Sequence, residues 1–75
     1  MYIVVDVPES SDIDVRVFEH RTDAVAYCVK VIAACEDVPL TSEIREDAWK
    51  HLMAGKTYTY QEMSQIVVKE LKISA

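Results

Sequence analysis

Two cysteines, Cys28 and Cys35, and two histidines, His20 and His51, carry the nucleophilic or ligand chemistry this sequence has to offer. A thiol becomes a nucleophile when a nearby base or positive charge favours its thiolate. Both cysteines fall instead within Ala24 to Glu36, on the stripe Ala24, Cys28, Val31 and Cys35 that i, i+4, i+7, i+11 spacing sets on one side of a helix. Buried thiols away from positive charge are inert, so both read as small core-filling side chains. Seven helical positions separate them by roughly 10 Å, beyond the about 7 Å that a disulfide tolerates. The spacing also misses the zinc-knuckle pattern, and no second cysteine pair exists to complete four ligands. Asp47 stands i,i+4 from both Glu43 and His51 on a charged helix, the ordinary pattern of a solvated face. Glu9, Asp12 and Asp14 gather near one loop without the turn glycine or closing glutamate of a calcium loop. With Gly55 as its single glycine, the chain has no phosphate-cradling loop. The sequence therefore predicts no catalytic residue, no metal and no cofactor.

The elements that would position these groups follow from periodicity. Residues 2–7 are rich in β-branched side chains and place Ile3, Val5 and Val7 on one face. Residues 13–19 alternate, with Ile13, Val15 and Val17 on one side and Asp14, Arg16 and Phe18 on the other. The polar stretch Pro8 to Asp12 between them has the composition of a hairpin connection. Because a two-stranded hairpin is marginal alone, its apolar face needs a cover. Thr22 then offers a helix N-cap, with Asp23 in the first turn. The helix that follows is apolar nearly all round, with Lys30 its only charge between Asp23 and Glu36. Pro39 ends that stretch. A second helix starts at Thr41 or Ser42, runs to about Met53, turns Ile44, Ala48 and Leu52 inward, and stops at Gly55. Thr59-Tyr60-Gln61-Glu62 reads as a capping box opening a third helix from Tyr60 to about Lys72. The expected fold is a single α+β domain, an antiparallel hairpin followed by three helices in the order β-β-α-α-α.

Charge and hydropathy limit the partners. Thirteen acids against eight bases give a net charge of −5, which neither a DNA backbone nor an anionic membrane attracts. No apolar run approaches the roughly 18 residues of a membrane span. Unbridged cysteines and no secretory leader pattern at Met1 point to a reducing, cytoplasmic setting. The second and third expected helices can be read as a helix-turn-helix, with Thr59, Tyr60, Gln61, Ser64 and Gln65 opening a recognition helix. Yet residues 41–75 carry five acids and five bases, so that half supplies no net charge against phosphate.

What remains is an apolar surplus, in a short chain of which 51% is hydrophobic. Val25 and Val29 on the first helix, with Ile66 and Val68 on the third, are the expected interface of a homodimer. The hairpin acids Glu9, Asp12 and Asp14 and the aromatics Trp49, Tyr58 and Tyr60 are the expected contacts to another protein.

The hairpin segment Val15-Arg16-Val17-Phe18, the start Thr22-Asp23-Ala24 and the closing run Gly55-Lys56-Thr57-Tyr58-Thr59-Tyr60-Gln61-Glu62 sit in a tiny acidic chain. In size, charge and element order the whole chain resembles the small accessory proteins of bacteriophages, among them anti-CRISPR and anti-restriction proteins. That class has no common fold or catalytic residues to carry over. The resemblance implies a cytoplasmic, non-enzymatic inhibitor or modulator that occludes a larger protein, such as a host nuclease or regulator. The alternative is a small DNA-binding regulator using the third helix.

Overall fold

β1 (Tyr2–Val7) and β2 (Asp14–Phe18) form the expected hairpin, with Tyr2 opposite Phe18 and Val5 opposite Val15. In the computed structural model, which describes residues 1–9, 12–35, 41–60 and 63–72, two helices follow: α1 (Arg21–Cys35) and α2 (Ser42–Met53). The chain then departs from expectation. Tyr58–Tyr60 is a short strand, β3, and Ser64–Glu70 is a longer one, β4. All pairings are antiparallel, and the sheet order is β2-β1-β4-β3. The fold is a four-stranded antiparallel sheet with two helices, β-β-α-α-β-β, and the hairpin-plus-three-helices expectation is overturned.

The correction has a local and a tertiary cause. Ile66-Val67-Val68 is a run of three β-branched residues, and Tyr58-Thr59-Tyr60 is made of strong strand formers. A helical stripe through Tyr60, Met63, Val67 and Leu71 competed with that preference. β1 settles the competition, because its second edge needs a partner. β4 supplies it over the full strand, from Tyr2 opposite Glu70 to Val7 opposite Gln65. The ladder continues one step further through Leu71 N–H to Met1 C=O at 2.8 Å. Thr59 therefore sits in an edge strand and caps no helix. Glu62, its supposed capping partner, lies outside the described residues.

Residues opposite one another in an antiparallel ladder share a face. One face of this sheet is Tyr2, Val4 and Asp6 with Phe18, Ile66, Val68, Tyr58 and Tyr60. It meets Ala24, Val25, Cys28 and Ile32 of α1 and Ala48 and Leu52 of α2, and these residues make up the core. The surplus on α1 is thereby resolved. Val25 is in the core, Val29 and Val31 pack half-buried against it, and the exposed back consists of Ala26, Lys30, Ala33 and Ala34. α1 begins at Arg21, where His20 C=O accepts from Ala24 N–H at 3.1 Å, so Thr22 lies inside the first turn and is not its cap.

α2 ends are set as read from the sequence. Thr41 Oγ1 accepts from Ile44 N–H at 3.2 Å. Gly55 takes φ 76°, with Gly55 N–H bonded to Leu52 C=O and Lys56 N–H to His51 C=O, the paired bonds of a Schellman ending. A Cβ at Gly55 meets nothing closer than Val68 O at 4.0 Å. The cost of a side chain there is torsional alone. Gly55→Ala is expected to lower stability by about 1 kcal/mol, and Gly55→Asn by less, in chemical denaturation. Equal losses for the two would show that crowding sets the cost.

Candidate protein-interaction surface

The opposite face of the sheet holds Ile3, Val5 and Val7 of β1, Val15 and Val17 of β2, and Gln65, Val67 and Lys69 of β4. Neither helix covers it. Val7, Val15 and Val17 are 40–52% exposed. Ile13, Met63 and Leu71, which adjoin the strand ends, are 40–67% exposed. Exposed apolar side chains gathered on one face in this way are the kind of patch that marks a contact surface. The hairpin's alternation is as expected, and its valine-rich face, expected to need a cover, is covered by neither described helix, both of which pack on the other face.

The covered face instead contains a buried acid. Asp6 is 7% exposed and accepts a hydrogen bond from the Tyr60 hydroxyl at 2.5 Å, itself on a residue 3% exposed. This bond crosses over β4 and ties the first strand to the third, which do not pair with each other. Nearby, the buried Ser64 hydroxyl accepts from Glu9 N–H at 3.0 Å, fixing the backbone that leaves β1 against the start of β4.

The expected partner-binding residues are dispersed. Glu9 and Asp12 are exposed at the hairpin end of the sheet. Asp14 is half-buried and already engaged, accepting from the Tyr27 hydroxyl at 3.1 Å and from Arg16 Nε at 3.2 Å. Burial, and then that bond to Asp14, raise the Tyr27 hydroxyl above its ordinary pKa. Tyr60 belongs to the core, and Tyr58 is half-buried with its ring edge-on to His51 at 5.8 Å. Trp49 alone of the three aromatics faces outward, 37% exposed beside a shallow depression of about 390 Å³ lined by Ser42, Arg45 and Glu46.

The residues expected at a homodimer interface also need correction. Val25, Ile66 and Val68 are in the chain's own core, and Val29 is packed half-buried against it. On a third helix Ile66 and Val68 would be surplus; on β4 they pack in the core with Val25. The recognition helix loses its element for the same reason, since Thr59, Tyr60, Ser64 and Gln65 lie on β3 and β4.

Cys28 is fully buried, and burial, helped by the nearby Asp6 charge, pushes its thiol up to about 12. His51 Nδ1 lies 2.8 Å from the carbonyl of Asp47 and 3.4 Å from its carboxyl group, on an exposed helix face. Among the described residues no group of three or more His, Cys, Asp and Glu is placed to hold a metal ion. Nor is any described helix long and apolar enough to cross a membrane. Comparison with family models, curated proteins and solved structures finds no match to this chain.

Two measurements check this description. Tyr60→Phe removes the donor to the buried Asp6 and is expected to cost about 2 kcal/mol in urea unfolding, because a buried polar group then loses its partner. A loss below about 0.5 kcal/mol would place Asp6 in water. In a Cys35→Ser chain, Cys28 should resist a thiol reagent when folded and react at once in denaturant. Because its pKa is raised in the folded state, the unfolded chain releases the thiol proton first. Stability should therefore be unaffected below the unfolded pKa near 9 and fall as pH climbs from there towards about 12.

Proposed function

We propose that this chain is a non-enzymatic, cytoplasmic protein-binding module that modulates another protein by covering part of its surface with the open sheet face. The single observation that carries this reading is an apolar sheet face that neither helix covers. A monomer selected for its own stability alone gains nothing from setting Val7, Val15 and Val17 in water while burying Asp6. Here Asp6 is 7% exposed and those three valines are 40–52% exposed. Departures of this kind from internal consistency are expected where function requires them. The face is also suited to contact. Its exposed apolar side chains are Val, Ile, Leu and Met, and Lys69 is the only charged residue of the paired strands that it carries.

The Trp49 depression is a lesser candidate, since a single half-exposed aromatic beside charged helix residues forms no continuous apolar patch. A free, buried Cys28 is in keeping with a reducing compartment. The action suits the class that the sequence resembles, small chains that work by occlusion.

A photo-crosslinking amino acid placed at Val15 tests this in the native cell, with the same group at the exposed Ala33 on the back of α1 as control. A discrete protein adduct at Val15 and none at Ala33 is the expected result. No protein adduct at Val15, of the chain itself or of another protein, would end the proposal.

A further inference from the structure

We infer that the outer edge of β2 is a second interaction surface, which pairs with β2 of a second copy of this chain, antiparallel and with Val15 on the two-fold axis. The inference concerns the edge of the sheet and does not rest on the reading of its open face.

The backbone is the first argument. Among the described residues β2 pairs with β1 alone, so its other side presents N–H and C=O groups at every second residue. Edge strands are commonly guarded by a proline, a lysine or a bulge. Asp14–Phe18 contains neither residue, and its register with β1 runs unbroken from Asp14 opposite Asp6 to Phe18 opposite Tyr2. Val15, Arg16 and Val17 are all exposed. The other edge strand, β3, has three residues, and its Tyr60 belongs to the core.

Self-complementarity is the second argument, and it names the occupant. Around Val15 the chain reads Ile13, Asp14, Val15, Arg16, Val17. Two such strands paired antiparallel on Val15 set each Ile13 opposite the other copy's Val17, and each Asp14 opposite the other copy's Arg16. Apolar then meets apolar on the open face, and acid meets base on the face that carries the helices. A register centred on Arg16 sets base against base, and one centred on Asp14 sets acid against acid. A centre between two residues would oppose side chains of different faces.

The charged side chains are already held for this pairing. Arg16 Nε donates to Asp14 Oδ2 at 3.2 Å, and the Tyr27 hydroxyl donates to the same oxygen at 3.1 Å. Asp14 Oδ1 accepts no bond among the described residues, and the terminal amino groups of Arg16 remain to donate across the edge. Arg16 also lies over the Tyr27 ring, 5.2 Å from its centroid, which keeps it on the helix side. Pairing closes a ring of four alternating charges, one Asp14 and one Arg16 from each copy. It also extends the four-stranded sheet into the copy's own and joins the two open faces into one surface.

Sedimentation equilibrium of the purified chain from about 1 µM to about 500 µM tests the inference. The expected result is a dimer. Arg16→Glu and Asp14→Lys should each weaken it about 10-fold, because both opposed pairs become like-charged. Mixing these two variants should restore association, since every opposed pair is then of opposite sign. Circular dichroism should show Arg16→Glu still folded, because that side chain is 57% exposed. The register is read separately in a Cys35→Ser chain. Val15→Cys should oxidise to a linked dimer, whereas Val17→Cys, roughly 13 Å from its counterpart along the strands, should not. If Asp14→Lys, which loses the Tyr27 bond, does not fold, this cysteine pair decides.

A wild-type chain that remains at 8.5 kDa throughout overturns the inference. So does a dimer that ignores Arg16→Glu, and so does linkage at Val17→Cys equal to that at Val15→Cys. If the chain is monomeric while the Val15 crosslinker still captures another protein, this inference alone falls and the contact-surface reading stands.

Discussion

The antiparallel pairing of β1 with β4 is the constraint on which the rest of the molecule depends. It joins the two ends of the chain, from Tyr2 opposite Glu70 to Val7 opposite Gln65. Without it the chain holds two hairpins, β1–β2 and β3–β4, and an isolated hairpin is marginal in water. With it, the two become one sheet wide enough to carry two helices. α1 and α2 fill the interval between the hairpins and lie together on one face, packing against Val4, Ile66 and Val68. Both central strands are paired on both edges, which leaves β2 and β3 as the sheet's edges.

Once both helices occupy one face, the character of the other follows. A strand's side chains alternate with a period of two, so the choice that buries Val4 and Asp6 also turns Val5 and Val7 to the opposite face. The chain accommodates the buried acid with a hydroxyl from β3, and the Asp6–Tyr60 bond in turn holds the short edge strand against the rest. Asp14 is accommodated similarly on β2, by Tyr27 reaching down from α1. Asp6 and Asp14 of the covered face are thus hydrogen-bonded within the molecule, whereas Val7, Val15 and Val17 of the open face are exposed. The proposed contact surface rests on that asymmetry, and the aromatics and hairpin acids are dispersed away from it.

Several features were readable from residue types because they are settled within a few positions. The hairpin β1–β2, the Thr41 cap, the end of α2 near Met53 and the left-handed glycine at Gly55 all rest on local steric and hydrogen-bonding preferences. The inertness of Cys28 was equally legible from its place on an apolar stripe. The third helix failed because the stretch from Tyr60 to Lys72 satisfies two periodicities at once. Tyr60, Met63, Val67 and Leu71 follow a helical spacing, while Ser64, Ile66 and Val68 alternate with Gln65, Val67 and Lys69 as in a strand. The expected interface failed with it. Val25, Ile66 and Val68 have the composition of an adhesive patch, and only the packing of β4 under α1 makes them core.

The sequence by itself determined that this is one small acidic α+β unit, that its first strands form a hairpin with a valine-rich side, and that it has more apolar surface than so short a chain hides comfortably. Each of these depends on composition or on neighbours within a few residues. Tertiary structure alone decided that the last segment is a strand, that the helices settle on the Asp6 side of the sheet, and hence that the surplus lies on the sheet and not on a helix. The physical reason is that alternation marks two faces of a strand without saying which will be covered. That choice is made only when β4 pairs with β1 and the helices between them come down on one side.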